Sequence, residues 1–468
     1  MKSDESKDSM LMMVASVRIV SYATIVLAHI AMSGTIRPQI SSPAGSSDRN
    51  SAYFGMSIES VIDLDGDRIP DIAIGDPTVL GATSNRVWLI SGADLELIDT
   101  LHSDVPGFGA VLRSVPDVNG DGADDLLIGA LGGEGQPSLF AYDLKAKEYI
   151  WSAKLGARAD LARFEYGFGV GLAIAHVHDV DEDGVADVVV GSCRRGVNGG
   201  DGYCTLLSAS TGKVLWEVSR PGQAFGAPIV GIGDVDDDAT GDIVVGGANG
   251  SVEVLSLITG KTVRQVLSPC GDAAFGSVLT ACMDLDADGV ADYLASNAFG
   301  GDLGECSSRV WAISSLTGEV IFNVVIDGLD YGGVGTGIVA LKDYFVITGA
   351  NEGFRSAFCR VDWQGEEVVR FRPPDDEGLD STFGLKVKNG WGATAQVIGD
   401  IDNDGIDDLG VASMCAVCGW REGEVWFFSS AIMQQSSALS GGAEAFLGRI
   451  TPTGLLGKRG SPGDQSED

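Results

Sequence analysis

An acidic nonapeptide recurs six times along this chain, and its spacing constrains the fold more than any other feature. The copies are DLDGDRIPD (63–71), DVNGDGADD (117–125), DVDEDGVAD (179–187), DVDDDATGD (234–242), DLDADGVAD (284–292) and DIDNDGIDD (400–408). Neighbouring first aspartates lie 50 to 62 residues apart, except for a last gap of 116, which is two periods. A seventh, degenerate copy is therefore expected near residue 342. There the segment VALKDYFVITGAN puts Asp343 in register without the other acids. A period of this length is one supersecondary unit that cannot bury its apolar face alone, so the copies must stack on one another.

The flanks repeat as well. Nine residues before the first Asp lies an aromatic followed by glycine: Phe54-Gly55, Phe108-Gly109, Phe225-Gly226, Phe275-Gly276 and Trp391-Gly392. Phe168-Gly169 sits two residues further back in the third copy, and Val334-Gly335 takes the place in the degenerate one. Twelve residues after the first Asp comes a small residue: Gly75, Gly129, Gly191, Gly246, Ser296 or Ala412. Each period reads as four short strands bounded by Gly, Asp and Ser, as in FGMSIESVI, DIAIG, NRVWLISG and LELIDTL. No intervening stretch carries the helical period that parallel crossover units need. Four strands repeated seven times predict an all-β, seven-bladed β-propeller, with the acidic loops between strands 1 and 2 of six blades. The ring must close on itself. The fourth strand of the last blade is expected from residues 35–40, with 445–451 as the alternative.

In each acidic loop, positions 1, 3 and 5 are Asp or Asn and position 9 is Asp. Alternate side-chain oxygens of a tight turn converge on one centre, and hard oxygen ligands in a flexible cage suit Ca²⁺. The expected ligands are Asp63, Asp65, Asp67, Ile69 and Asp71 in the first loop, and Asp117, Asn119, Asp121, Ala123 and Asp125 in the second. The third offers Asp179, Asp181, Asp183, Val185 and Asp187; the fourth Asp234, Asp236, Asp238, Thr240 and Asp242. The fifth offers Asp284, Asp286, Asp288, Val290 and Asp292; the last Asp400, Asp402, Asp404, Ile406 and Asp408. The position-7 residue in each set would contribute its backbone carbonyl. Glycine at position 6 permits the turn in four loops, whereas Arg68 and Ala239 replace it in two. Position 12 is apolar rather than the bidentate Glu of an EF-hand, as a strand–loop–strand site requires. A solvated turn holding no metal is the plain alternative, but carboxylates packed this closely repel one another without a cation. Up to six structural Ca²⁺ ions are expected.

Composition narrows the partners. Formal net charge is −35, a surface that phosphate backbones and anionic lipid headgroups repel, so no nucleic-acid partner is expected. Glycine numbers 66 of 468 residues, a share that many tight turns would use, and there is no collagen period. Residues 10–33 are apolar and end in a small-x-small cleavage signature, so 1–33 reads as a signal peptide or an N-terminal anchor. Residues 34–51 read as a linker or closing strand, 52–432 as the propeller and 433–468 as a Gly/Ser-rich, partly disordered tail. No membrane insertion beyond that possible anchor is expected. All eight cysteines lie after the apolar segment, and an even number in an exported chain favours disulfides. Cys193 and Cys204, bracketing a Gly-rich loop, are the favoured pair.

The Phe-Gly, acidic loop and small-residue pattern resembles the FG-GAP repeat of integrin α subunits, over residues 52 to about 430. That resemblance implies a secreted or cell-surface adhesion module that binds an extracellular protein or glycan. It also implies that ligand is met on the face opposite the acidic loops. There the longest insertions (194–203, 297–308 and 414–424) would carry Tyr203, Phe299 and Trp420 as contact aromatics, though packing against neighbouring loops is an equal alternative for each. An enzyme is not expected, since no G-x-S-x-G, H-E-x-x-H or phosphate loop appears. His176 and His178 alternate along one strand and read as filler. Segments 141–151 and 206–216 partly match the tryptophan-docking motif of quinoprotein propellers, the plain reading being a hairpin with a packed Trp. A lectin-like propeller is the runner-up; a calcium-dependent polysaccharide lyase, a hydrolase and a quinoprotein stand behind it.

Overall fold

The computed structural model describes residues 54–77, 85–131, 138–155, 172–193, 202–221, 225–226, 228–247, 249–297, 309–325, 334–349, 358–366, 368–371, 391–413, 424–430, 433, 446–451 and 454–455. Residues 40–457 form one compact unit; the other, residues 1–39 and 458–468, lies outside the described residues, and with it the expected signal segment. Among the described residues no helix is long and apolar enough to cross a membrane.

Seven antiparallel sheets follow one another along the chain. Blade 1 is β1 (Ile58–Val61), β2 (Asp71–Asp76), β3 (Asn85–Ile90) and β4 (Leu97–Ser103). Blade 2 is β5 (Val111–Val115), β6 (Asp125–Gly129), β7 (Leu139–Asp143) and β8 (Glu148–Ala153). Blade 3 is β9 (Leu172–His176), β10 (Val188–Cys193), β11 (Gly202–Leu207) and β12 (Val214–Arg220). Blade 4 is β13 (Ile229–Gly231), β14 (Ile243–Val245), β15 (Ser251–Leu255) and β16 (Thr262–Leu267). Blade 5 is β17 (Val278–Ala281), β18 (Tyr293–Ser296), β19 (Arg309–Ile313) and β20 (Val320–Val325). Blade 6 is β21 (Val334–Ala340), β22 (Tyr344–Gly349), β23 (Phe358–Asp362) and β24 (Val368–Phe371). Blade 7 is β25 (Trp391–Val397), β26 (Leu409–Ser413), β27 (Glu424–Phe428) and β28 (Phe446–Thr451), extended by the short β29 (Gly454–Leu455). The protein is therefore a seven-bladed, all-β propeller. In blade 6 a tight turn replaces the acidic loop: Leu341 N–H donates to Tyr344 O at 2.9 Å.

The core lies between blades. Each of its seven hydrophobic clusters draws side chains from two adjacent blades, and one of them joins Phe54, Ile72 and Ile74 of the first blade to Ile398, Val425 and Phe427 of the last. Sheets packed on both faces explain why the second strands are apolar runs instead of alternating: DIAIG in β2, DLLIG in β6 and IVV in β14 are buried throughout. The fourth strands, at the rim, are only partly buried. First strands touch one another around the axis, with β25 returning to β1. Thr394 Oγ1 donates to Met56 O at 3.0 Å and Ser60 Oγ to Ile398 O at 3.1 Å across that closure. Glu59, on β1, bridges it as well: Gln396 Nε2 donates to it from blade 7 and Arg113 pairs with it from blade 2 at 3.6 Å. Burial nonetheless holds the Glu59 carboxyl above its usual range, against the pull of Arg113.

The flanking repeats have a direct structural reason. The glycine of each described Phe-Gly has positive φ: Gly55 at 86°, Gly109 at 87°, Gly226 at 107° and Gly276 at 80°. Its N–H donates to the carbonyl of the small residue after the acidic loop, as Gly55 to Gly75, Gly109 to Gly129, Gly226 to Gly246 and Gly276 to Ser296. The small residue also faces the next blade. A Cβ on Gly75 would lie 2.0 Å from Gly109 O, on Gly191 1.5 Å from Gly226 O, and on Gly246 2.2 Å from Gly276 O. The two motifs are thus two sides of one blade-to-blade contact.

The partial tryptophan-docking segments make a second such contact at the rim. Trp151 Nε1 donates to Ala209 O of the next blade at 2.8 Å, and Gly212 leaves room for its ring. Trp216 repeats this on Leu257 O at 2.8 Å and Gly260. Arg264 reaches Ser315 O at 2.8 Å, over Gly318, in the same position one blade on.

Two expectations are corrected. The fourth strand of the last blade is β28, which pairs with β27 (Val425 opposite Ile450, Trp426 opposite Arg449) and comes from the C-terminal alternative, not from residues 35–40, which lie outside the described residues. The segment expected to be tail thus completes the propeller, and its Leu447 packs into the cluster joining blades 7 and 1. Nor is there a Cys193–Cys204 disulfide, because Cys204 is a buried free thiol. The register opposes Gly191 to Cys204 and Cys193 to Gly202. The two cysteines are diagonal neighbours, whose separation of about 7 Å exceeds disulfide reach. Cys282 is a free thiol too.

Candidate metal centres

Each acidic loop joins the first and second strands of its blade, and all six share one backbone path. Position 6 is left-handed in every loop: Arg68 (76°), Gly122 (84°), Gly184 (92°), Ala239 (70°), Gly289 (94°) and Gly405 (90°). Arg68 and Ala239 therefore adopt the glycine conformation at a cost of about 1 kcal/mol each. The position-1 carboxylate organises the turn by accepting the N–H of position 6 at 2.6 to 2.9 Å in all six. These amides lower the Asp63 and Asp117 carboxyls below their usual range. Position 5 accepts the N–H of position 7 at 2.8 to 2.9 Å, which fixes Ile69, Ala123, Val185, Thr240, Val290 and Ile406 in the turn. Position 9 opens or immediately precedes the second strand and is fully buried, with one oxygen accepting the N–H of position 2.

In five loops this arrangement gathers carboxylates. One oxygen from each of Asp63, Asp65 and Asp71 lies within 4.8 Å of the others. The same holds for Asp179, Asp181 and Asp187, for Asp234, Asp236 and Asp242, and for Asp284, Asp286 and Asp292. In the last loop the trio is Asp400, Asp402 and Asp404. Burial, then the neighbouring carboxylates, push the position-9 carboxyls up: to about 6 for Asp71, Asp187 and Asp242, and to about 8 for Asp408. In four loops one buried carboxylate is gathered with two partly or fully exposed ones, and in the last loop all three are partly or fully exposed; mutually repelling carboxylates held by one turn are the donor chemistry of a hard divalent cation. Neither His176 nor His178 belongs to such a group.

The third strand contributes a part the sequence reading missed. The N–H just beyond it donates to the other oxygen of position 9: Gly92 to Asp71, Ala209 to Asp187, Leu257 to Asp242, Ser315 to Asp292 and Ser430 to Asp408, at 3.0 to 3.4 Å. The residue before that amide faces position 5: Ser314 Oγ donates to Asp288 at 3.3 Å and Ser429 Oγ to Asp404 at 3.4 Å, while Ser208 and Ser210 donate to Asp183. The signal was a Ser at the end of strand 3, followed in blades 3 to 5 by Thr-Gly (Ser208…Thr211-Gly212, Ser256…Thr259-Gly260, Ser314…Thr317-Gly318). In blades 3 to 5 the same turn receives the docking side chain of the preceding blade, so these loops are tied to their neighbouring interface. On the expected ligand face, Tyr203 lies half-buried on β11, while Phe299 and Trp420 fall outside the described residues.

Comparison with known proteins agrees with the repeat. Integrin alpha-V of Gallus gallus is 28% identical over 229 residues, 44% of this chain and 21% of its own length. Integrin alpha-8 of Gallus gallus is 30% identical over 216 residues, 42% of this chain and 20% of its own. Integrin alpha-IIb of Homo sapiens is 29% identical over 221 residues, again 42% and 20%. The matched region thus spans about a fifth of these relatives. No family profile matches the chain. Among solved structures, BBS1N in complex with ARL6DN superposes with a TM-score of 0.43 at 14% identity, covering 68% of this chain and 78% of that one, too distant to carry an argument. The chain is a seven-bladed β-propeller whose repeat is similar to that of integrin α subunits.

Proposed function

We propose that this propeller is a calcium-stabilised adhesion or protein-interaction module of the extracellular space, and not an enzyme. The observation that carries the calcium half is the gathering of three carboxylate oxygens within 4.8 Å in each of five loops. The residues that would hold the ion are positions 1, 3 and 9 in four loops and positions 1, 3 and 5 in the last, with the remaining carboxylate and the carbonyl of position 7 completing an oxygen cage. Bound Ca²⁺ would neutralise the repelling carboxylates and tie the first two strands of a blade together. At millimolar calcium and a Kd of about 0.1 mM, each site would add about 1.4 kcal/mol. The interaction half rests on the integrin α resemblance and on the −35 net charge, which disfavours nucleic acid and anionic lipid. The ligand would be an extracellular protein or glycan, met on the face opposite the acidic loops, with Tyr203, Phe299 and Trp420 as contact residues.

A thermal melt in calcium, in magnesium and in EGTA tests the calcium half. A melting temperature lowered by EGTA and restored by Ca²⁺ far better than by Mg²⁺ is expected; equal melting temperatures in all three would refute it. Solid-phase binding to matrix proteins and to glycans, with and without EGTA, tests the other half.

A further inference from the structure

The second loop does not fit the ion that the other five fit. Its position 3 is Asn119, whose side-chain amide donates to Asp143 Oδ2 at 2.7 Å while its Oδ1 accepts the Asp121 N–H at 3.0 Å. Turning the amide over would set its oxygen against the Asp143 carboxylate, so the network fixes an N–H donor where the other loops offer an oxygen. Position 5 is engaged as well. Lys145, from the turn after β7, places Nζ 3.1 Å from Asp121 Oδ2 and 2.6 Å from Asp121 O. In blades 5 and 7 the matching oxygen meets only a serine hydroxyl. Asp143, standing where those serines stand, is itself used up: its Oδ1 accepts the N–H groups of Lys145 and Ala146, and its Oδ2 accepts Asn119. Loop 117–125 has no carboxylate at position 3 to match Asp65, Asp181, Asp236, Asp286 and Asp402.

We propose that the ammonium of Lys145 takes the role of the divalent cation in blade 2, so that this loop is ordered without metal and the propeller holds five calcium ions rather than six. The count rests on the calcium reading above; the role of Lys145 does not. A monovalent cation on a flexible stem suits this loop, because Asn119 has removed one negative charge and Lys145 neutralises another. One buried oxygen remains without a hydrogen-bond partner, Asp125 Oδ1, and it is the atom that the third-strand amide satisfies in the other five blades. Its carboxyl is pushed up to about 6 by burial and then by Asp143 and the loop carboxylates.

Hydrogen exchange resolved by loop tests this on the full chain, with and without EGTA, in the wild type and in Lys145→Met. In the wild type, EGTA should speed exchange of the amides in 179–187, 284–292 and 400–408 while leaving those in 117–125 within a factor of about two. In EGTA, Lys145→Met should speed exchange in 117–125 alone, by about three- to fivefold, the size expected for a half-exposed ion pair. Exchange in 117–125 that rises with EGTA like the other loops overturns the proposal, and so does a Lys145→Met loop that exchanges like the wild type. If no loop responds to EGTA the calcium reading falls, and the Lys145→Met comparison still decides the role of the lysine.

Discussion

Substituting Gly191 by alanine should force blades 3 and 4 apart. A methyl there would stand 1.5 Å from Gly226 O, 2.6 Å from Gly226 C and 2.5 Å from Ile229 Cδ1. The carbonyl cannot easily retreat. Gly226 has a φ of 107°, its N–H donates to Gly246 O at 3.1 Å, and the preceding Phe225 is 2% exposed in the inter-blade cluster. Restoring ordinary contact needs a shift of about 2 Å between two backbones, at the upper end of overpacking costs, about 3 kcal/mol. For a cooperative unit of about 400 residues that lowers the melting temperature by about 4 °C. Gly231→Ala is the control, since its Cβ meets only His176 O at 3.4 Å; it should cost less than about 0.5 kcal/mol and shift melting by under about 1 °C. Calorimetry in saturating calcium measures both. Equal melting temperatures for the two variants would refute the claim that the small residue exists to let neighbouring backbones touch.

Three further outcomes follow from the geometry. In EGTA, stability should fall as pH rises, because carboxyls raised to about 6 at Asp71, Asp125, Asp187 and Asp242 keep protons that the unfolded chain has lost above about pH 4. The loss should run through about pH 6 and continue toward pH 8 with Asp408; urea midpoints that rise with pH over this window would contradict it. Trp151→Phe should cost about 1 kcal/mol in urea titration by removing the N–H that Ala209 O accepts, and Trp151→Ala about 2 to 3 kcal/mol, because the half-buried ring is lost as well. Arg113→Met should cost about 1 to 2 kcal/mol by leaving Glu59 buried without its half-exposed cation and by losing the bond to Ile174 O, and adding Glu59→Gln should recover the first part of that. A double variant no more stable than Arg113→Met would show that the pair does not act as one.

The seven-fold period was legible because an acidic loop and a Phe-Gly are rare enough to register at long range, and even the degenerate blade could be placed by counting. Four things were not legible, each for a physical reason. Phe446–Thr451 and residues 35–40 are equally short and apolar, so composition could not say which would pair with β27. Cys193 and Cys204 were close in sequence, but only the register shows them to be diagonal. The serines beyond the third strands looked like ordinary turn residues; Ser314 and Ser429 acquire meaning only when the hairpin folds back over the acidic loop. The same holds for Lys145, which the linear pattern places 24 residues from the aspartate it neutralises.

Among the described residues every blade is built from strands consecutive in the chain, with no strand lent by a distant segment. This order has a kinetic side. All the strand ladders can zip from local encounters, each hairpin templating the next, and neighbouring blades can dock as they form. Among the described residues the first and last blades meet at a single interface: the seam of β25 on β1, fastened by Thr394 to Met56, Ser60 to Ile398 and Gln396 to Glu59, with the cluster of Phe54, Ile72, Ile74, Ile398, Val425 and Phe427 beside it. Bringing it together carries the entropy of closing a loop of more than 300 residues, which the preceding six interfaces must first shorten into a stiff arc. The seam should therefore form last and open first, so that weakening it accelerates unfolding while leaving the folding rate of the other blades nearly unchanged.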